Sequence, residues 1–305
     1  MSIGEVAAEG VLRVRTLVVN VYLVRTGASW VLIDAGLGGY ARTITAAAEE
    51  FMGSTRAPEA IVLTHGHFDH VGSLDALLDR WPVPVYAHRL ERPYLNGESA
   101  YPPPDPLVGR GSMALLSRLY PRGPINIANC LNVLPEDGSV PMMPEWRYVF
   151  TPGHTAGHIS LYRERDKTLI AGDAVTTTKQ ESALAVLTQR EEMHGPPAYF
   201  TPDWRATRES VRRLAALDPE VLATGHGVVM RGAPMRDALH ALAANFDREV
   251  PLYGRYAKDP AVTDEHGIVR LPPDPFPKVA AGLAAAAIAV GLVSQASRMR
   301  RSAYR

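Results

Sequence analysis

The sequence has almost no cysteine and no excess of either charge. Cys130 stands alone among 305 residues, which excludes an intramolecular disulfide framework. Lysine and arginine together number 32, as do aspartate and glutamate, so the formal net charge is zero. Proteins that bind nucleic acid through its phosphates need a basic surface. We therefore expect no nucleic acid among the main partners of this chain.

Long apolar segments are also scarce. Residues 1–11 contain Glu5 and Glu9 and lack the apolar core of a secretory signal peptide, so we expect a cytoplasmic protein. The main apolar stretch, residues 279–293, is rich in alanine and glycine and precedes Arg298. It is shorter than the roughly 20 residues that span a bilayer. Two interpretations stay open for 279–293, peripheral membrane contact and a packed C-terminal helix.

The sequence does contain a dense cluster of metal-binding side chains. Thr64–His70 reads Thr-His-Gly-His-Phe-Asp-His and follows a short apolar run. Zinc prefers imidazole and carboxylate donors of this kind. Four donors in so short a segment cannot all reach one ion without crowding. The spacing therefore indicates two neighbouring metals, with His65 and His67 on one and Asp69 and His70 on the other, unless the segment is only a histidine-rich surface loop.

Three further segments each place one donor just after a short run of apolar residues. The donors are His154, Asp173 and His226, and glycine lies beside each of them. Glycine lets the backbone turn sharply where a strand ends. Donors at the same ends of several strands can build one shared site at the edge of a sheet.

With these motifs the chain resembles the metallo-β-lactamase superfamily of hydrolases from about Leu32 to about Gly227. The resemblance implies an α/β fold, an αββα four-layer sandwich, to which the sequence adds a C-terminal helical tail. It also implies two divalent metal ions per chain, for which we expect zinc. One ion would take His65, His67 and His154, the other would take Asp69, His70 and His226, and Asp173 would bridge them.

The resemblance assigns two carboxylates a role beyond that of a simple ligand. Asp69 is implied to take the proton from the attacking water. Asp34, after the predicted strand Trp30–Ile33, is implied to hydrogen-bond the metal loop, because ligating histidines usually need a partner on their other nitrogen. A turn or a helix cap before the predicted helix at 41–52 is the alternative for Asp34.

We predict a catalytic domain over residues 1–233, followed at 234–305 by a helix, a linker and the apolar terminal helix. Within the domain, residues 88–129 break the pattern of short strands and helices, and both a flap over the site and a surface excursion fit them. Pro82–Ala87 is predicted as an edge strand, because proline cannot donate to a ladder.

The segment after Asp173 is expected to line the cleft. His194 and Tyr199 are therefore the candidate substrate contacts. Aromatic residues predicted near the cleft favour an uncharged small-molecule carbonyl substrate, a lactone, an ester or a thioester, cleaved by a hydroxide that bridges two metals. The same donors also suit a phosphodiesterase or, on the same scaffold, a non-haem iron sulfur dioxygenase. The sequence does not indicate the oligomeric state.

Overall fold

The structure is a computed structural model that describes residues 3–109 and 111–279. The strands of the two main sheets are β1 (Glu5–Ala8), β2 (Val11–Thr16), β3 (Val19–Thr26), β4 (Ser29–Ile33), β5 (Ile61–Val62), β6 (Val85–Ala87), β7 (Leu131–Val133), β8 (Trp146–Phe150), β9 (Ile159–Arg163), β10 (Thr168–Ile170), β11 (Val221–Ala223) and β12 (Met230–Arg231). A separate hairpin consists of β13 (Val262–Asp264) and β14 (Gly267–Arg270). The helices are α1 (Ala41–Met52), α2 (Phe68–Val71), α3 (Leu74–Arg80), α4 (Arg92–Leu95), α5 (Ser112–Leu116), α6 (Ala183–Thr188), α7 (Trp204–Ala215) and α8 (Gly232–Ala244).

The first sheet contains seven strands in the order β1 to β7. Pairs from β1 to β4 are antiparallel, and pairs from β4 to β7 are parallel. Because β4 and β5 run in the same direction, the residues that follow them leave the sheet at one edge. Asp34 follows β4, and the loop that begins at Leu63 follows β5. The sheet therefore brings Asp34 next to the histidine-rich segment.

The prediction that Pro82–Ala87 forms an edge strand is wrong. The strand β6 lies between β5 and β7 and pairs with both of them. Pro82 and Pro84 precede the paired residues, which begin at Val85. The prolines therefore do not interrupt the ladder with their missing N–H groups.

The second sheet contains five strands in the order β12-β11-β10-β9-β8. The strands β10 and β11 are parallel, whereas β9 is antiparallel to both β8 and β10. The strands β8, β10 and β11 therefore all run in one direction and end at one edge of the sheet. His154, Asp173 and His226 follow these three strand ends.

The two sheets pack face to face, with helices on their outer faces. Alternate residues of β3 point to opposite sides, as expected for a strand that is buried on both faces. Between the sheets lie, among others, Tyr22, Val31 and Ile33 of the first and Leu161, Ile170 and Ala223 of the second. Outside the first sheet, α1 and α3 contribute Ile44, Leu74 and Leu77 to a core with Leu12, Leu23 and Leu32. Outside the second, α7 and α8 contribute Val211, Leu214 and Leu239 to a core with Tyr162, Leu169 and Leu222. The predicted αββα four-layer sandwich is confirmed.

The helix α8 belongs to the same compact unit as the two sheets. The compact unit that contains the sandwich spans residues 1–271 and includes α8. The domain boundary predicted at residue 233 stays a prediction, as does the flap at 88–129. Apart from Val279, the segment 279–293 lies outside the described residues. Among the described residues, no helix combines the length and the apolar character needed to cross a bilayer.

Candidate metal centre

The histidine-rich segment forms a buried loop and one helical turn at the edge of the first sheet. His65 and His67 lie on the loop after β5, and Asp69 and His70 lie on α2. The three histidines are buried, whereas Asp69 is partly exposed. The backbone of this turn is tied to the end of β4, because the N–H of Ala35 donates to the carbonyl oxygen of His70 over 2.7 Å.

The donors that the sequence predicted come together in three groups. Within each group the potential ligand atoms lie within 4.8 Å of one another. The groups are His65 with His67 and His154, His65 with His70 and Asp173, and Asp69 with His70 and His226. All seven donors therefore meet at one edge of the sandwich, although they come from four loops.

Asp173 occupies the middle of this cluster. Its Oδ2 lies 3.1 Å from Nε2 of His226 and 3.5 Å from Nε2 of His154. Its Oδ1 lies 3.4 Å from Nε2 of His70. The same Nε2 of His226 also lies 3.4 Å from Oδ2 of Asp69. One buried carboxylate thus faces histidines from three loops.

Several buried polar atoms of the cluster have no hydrogen-bond partner within the protein. They are Nε2 of His65, Nε2 of His70, Nδ1 of His154 and Oδ1 of Asp173. In addition, Nδ1 of His67 and Nε2 of His154 lie only 2.9 Å apart. Leaving buried polar groups unpaired costs about 1–3 kcal/mol each. Nitrogen and oxygen atoms that converge in this way match the ligands of a divalent cation, so the donor set fits a metal.

The histidines of the cluster differ in the direction in which their pKa values are shifted. Burial lowers the pKa of His65 and His154 well below the ordinary value, and it lowers the pKa of His67 to about 3. Burial acts in the same direction on His70, but the carboxylates of Asp173 and Asp34 together outweigh it and raise the pKa of His70. Neutral imidazoles offer a lone pair to a cation, and Asp173 supplies negative charge.

Asp34 lies beneath the metal loop and is buried. Its Oδ1 accepts a hydrogen bond from the N–H of Thr64 over 2.7 Å, and its Oδ2 lies 2.8 Å from Nδ1 of His70. The residue before α1 is Tyr40, so Asp34 does not cap that helix. The geometry is that of a carboxylate that orients a histidine, although its role in metal binding stays a prediction.

Asn20 and Tyr22 hold the loop of His226, and the sequence analysis missed both of them. The side-chain amide of Asn20 donates to the carbonyl oxygens of Thr224 and Gly227, each over 2.9 Å. The hydroxyl of Tyr22 donates to the carbonyl oxygen of Thr224 over 2.7 Å. A signal was present, because Asn20 is a polar residue between Val19 and Val21 in an apolar part of the sequence.

His158 is not a member of the donor groups among the described residues. Its Nε2 accepts a hydrogen bond from the backbone N–H of Asp173 over 2.9 Å, and its Nδ1 lies 2.8 Å from the hydroxyl of Thr151. This arrangement fixes the backbone at Asp173. His158 therefore contacts the site through the backbone of Asp173 and not as a proposed metal ligand.

Aromatic rings border the cluster. The ring of Phe200 stacks on His67 with centroids 4.7 Å apart and planes at 30°. Phe68 and Tyr120 lie next to Phe200, at centroid distances of 6.4 and 6.0 Å. We call Phe68, Tyr120, Tyr199 and Phe200 the aromatic border. Of these, the sequence analysis had named only Tyr199 as a substrate contact.

The two candidate substrate contacts are in different surroundings. Tyr199 is buried against Phe200, and its pKa lies well above the ordinary value because of burial and then the nearby carboxylate of Asp69. The ring of His194 instead lies between two acidic residues, 3.4 Å from Glu192 and 3.8 Å from Glu249. The structure thus places Tyr199 against Phe200, whose ring stacks on His67, and His194 is not among the donor groups of the described residues. Substrate contact by either residue stays a prediction.

A four-layer sandwich with buried histidines and aspartates at one edge defines the class of metal-dependent hydrolases. The family model of the metallo-beta-lactamase superfamily matches residues 14–226, and the chain belongs to this superfamily. The resemblance predicted from the motifs is therefore confirmed.

Relatives and solved structures agree with this membership. The chain is 48% identical over 243 residues to the "Probable metallo-hydrolase YflN" of Bacillus subtilis (strain 168), which covers 79% of this chain and 92% of that protein. A solved B3 metallo-beta-lactamase with an active-site glutamic acid has a TM-score of 0.55 at 21% identity, and it covers 79% of this chain and 87% of its own. The Rm3 metallo-beta-lactamase has a TM-score of 0.54 at 20% identity, with 79% and 90% covered. The two structures show the fold, and the chain is a metal-dependent hydrolase of this superfamily.

Proposed function

We propose that the protein is a binuclear zinc hydrolase that cleaves a carbonyl substrate, a lactone, an ester or a thioester. The observation that carries the proposal is the position of Asp173. Its two oxygens face histidines from both ends of the donor cluster, as a carboxylate shared by two ions must. Zinc is favoured because imidazole and carboxylate are its usual ligands.

The proposed ligands divide into two sets that share Asp173. The first set is His65, His67 and His154, and the second is Asp69, His70 and His226. When bound, the two ions supply Lewis acidity and lower the pKa of a water molecule toward neutrality. Asp69 is the partly exposed member of the second set, and we propose that its carboxylate takes the proton from that water.

The aromatic border supports an uncharged carbonyl substrate. Phe200 and Tyr199 supply apolar surface beside His67 and Asp69. A phosphodiester carries a full negative charge, which arginine or lysine commonly binds in enzymes. Within the described residues, the carboxylates of Asp69 and Asp173 pair with histidines and not with lysine or arginine. We therefore rank carbonyl cleavage above phosphodiester cleavage.

The substrate class is tested with a panel of four compounds. Enzyme loaded with zinc, and separately with iron, is assayed on a lactone, a thioester, bis-nitrophenyl phosphate and a persulfide. We expect turnover of the lactone or the thioester with zinc and none with the Asp173→Ala variant. Turnover of the phosphodiester alone would contradict the carbonyl proposal, and activity on a persulfide only when iron is loaded would favour a dioxygenase.

A further inference from the structure

Glu91 is a buried carboxylate that lies outside the proposed ligand set. It ends a short 3-10 turn, Arg89–Glu91, that follows β6 and opens the segment 88–129. Its side chain is fully buried. A buried carboxylate is costly unless hydrogen bonds compensate it. The partners of Glu91 therefore indicate what it does.

Four donors from three segments converge on this carboxylate. The Oε2 atom accepts hydrogen bonds from the N–H of Gly66, over 3.0 Å, and from the hydroxyl of Tyr101. The Oε1 atom accepts from the hydroxyl of Thr155 over 2.6 Å and from the N–H of Gly157 over 2.9 Å. Gly66 lies between His65 and His67, and Thr155 follows His154 in the chain. One carboxylate thus ties the loops that carry the first proposed ligand set.

Close backbone approach explains the glycines at two of these positions. A Cβ atom on Gly66 would lie 2.6 Å from the hydroxyl oxygen of Tyr101. A Cβ atom on Gly157 would lie 2.6 Å from the backbone nitrogen of Glu91. Real Cβ atoms do not approach other atoms so closely, so a larger residue at either position would push the loops apart.

Tyr101 extends the contact to a proposed ligand. Its ring lies against His67, with centroids 4.6 Å apart, and it also stacks on Tyr94, with centroids 4.0 Å apart. The hydroxyl of Tyr101 donates to Glu91, so the carboxylate also fixes the ring that limits the movement of His67. Glu91 therefore acts on His67 both through Gly66 and through Tyr101.

We propose that Glu91 is a positioning residue that holds the loop of His65 and His67 against the loop of His154 and thereby sets the affinity of the first metal site. The proposal depends on the proposed metal ligation and is independent of the proposed substrate. Partners that orient metal ligands typically contribute 10–100-fold to metal affinity or activity. Glu91 touches no ligand atom itself, so its effect passes through the backbone and Tyr101.

The Glu91→Gln variant tests the role of the four hydrogen bonds while nearly preserving volume. In either orientation, the amide group places its NH2 against two of the four donors, so at least one hydrogen bond is lost. We expect its zinc affinity, measured in competition with a chromophoric chelator, to fall about 10–100-fold for one of the two ions. The exposed Glu98→Gln variant, in the same segment, is the matched control and should bind zinc as the wild type does.

Two further measurements separate positioning from a general loss of stability. The visible spectrum of cobalt-loaded protein reports the geometry around the metal, and we expect it to change in Glu91→Gln and not in Glu98→Gln. If Glu91→Gln does not fold, Tyr101→Phe removes one donor while keeping the ring, and it should weaken zinc binding in the same direction.

Two different results would contradict the proposal, and each would reject a different part of it. Wild-type zinc affinity and an unchanged cobalt spectrum in a folded Glu91→Gln variant, or in Tyr101→Phe where that variant is used, would overturn the positioning role and leave the ligation intact. A wild-type chain that binds no zinc and no cobalt would instead overturn the ligation, and with it this inference.

Discussion

The carboxylate of Asp34 contacts two parts of the metal loop at the same time. It accepts hydrogen bonds from the backbone N–H and the hydroxyl of Thr64, and it lies 2.8 Å from Nδ1 of His70. A carboxylate on one imidazole nitrogen orients the other nitrogen toward a metal. At the scale of single residues, Asp34 therefore offers a direct test of how the proposed ligand His70 is held.

We predict that Asp34→Asn weakens zinc binding about 10–100-fold, because the amide cannot accept from all the donors that now meet the carboxylate. The measurement is a zinc competition titration, with thermal unfolding of the metal-free protein recorded in parallel. Asp75→Asn, at an exposed position of α3, is the control. Equal affinities for the two variants would show that Asp34 does not orient His70.

His88 provides a pH-dependent contribution to stability outside the metal site. Its ring stacks on Phe150 with centroids 4.4 Å apart, and burial, aided by the charge of Arg89, lowers its pKa from 6.5 to about 4. As pH falls, the unfolded chain takes up the proton first. The contribution of His88 is thus fully present above pH 6.5 and is lost as the pH falls toward 4.

We predict that His88→Asn makes the free energy of unfolding less dependent on pH between pH 6.5 and 4. Asparagine keeps an acceptor for the N–H of Leu90, which His88 now accepts. Urea unfolding at pH 7 and pH 5 measures the change, and His266→Asn at an exposed site is the control. If the free energy of unfolding differed between pH 7 and pH 5 by as much in His88→Asn as in the wild type, this assignment would be refuted.

At the scale of elements, β3 contributes to the site through the polar side chains of Asn20 and Tyr22. Asn20 donates to the carbonyl oxygens of Thr224 and Gly227, on both sides of His226, and accepts from Nε of Arg13 over 2.8 Å. Its removal would take the side-chain donor from the carbonyl group of Gly227, whereas the carbonyl group of Thr224 would keep the hydroxyl of Tyr22. The strand therefore fixes the last proposed ligand from across the sandwich.

We predict that Asn20→Ala lowers the free energy of unfolding by about 1–3 kcal/mol, the usual effect of unpaired buried polar groups. Urea unfolding of the metal-free protein measures it. Asn132→Ala, in β7, removes an exposed asparagine from another strand and should have little effect. If Asn20→Ala were as stable as Asn132→Ala, the proposed role of Asn20 in holding the loop of His226 would be contradicted.

The segment 88–129 reaches the aromatic border through Tyr120. Its ring lies 5.7 Å from Phe68 and 5.9 Å from Tyr199, measured between centroids. Burial and the carboxylate of Asp69 raise the pKa of Tyr120. This position fits the interpretation of the segment as a flap better than that of a surface excursion, and it can be tested by kinetics.

We predict that Tyr120→Ala raises KM for an apolar lactone or thioester more than it lowers kcat, because the ring supplies contact surface rather than chemistry. Steady-state kinetics measure the two constants. Leu119→Ala changes a neighbouring exposed side chain and should leave both nearly unchanged. A fall in kcat alone would contradict a substrate-binding role for this part of the segment.

Strands and proposed metal ligands were predictable where the sequence pattern lies within a few neighbouring residues. His65 and Asp173 are recognisable because each donor directly follows a short apolar strand with glycine beside it. The position of β6 was not predictable, because the prolines before it suggest an edge and only the pairing partners show otherwise. Glu91 and Asn20 were missed because their partners lie far away in the chain, and neither side chain belongs to a motif.

At the scale of the whole molecule, the sandwich brings distant loops together. Parallel strand ends in two sheets meet at one edge, so that donors from His65 to His226 share a single cluster. Four layers with three apolar cores hold these strand ends in place. The predicted convergence is thus a property of the whole fold, and the metals would in turn link its two sheets.

The most direct test of this account is the number of metal ions per chain. We expect elemental analysis of the zinc-loaded protein, after removal of free metal, to give two ions per chain for the wild type. Asp173→Ala should lose at least one of them, because it removes the carboxylate that faces both proposed sites. Two ions retained in that variant, or fewer than two in the wild type, would contradict the central claim.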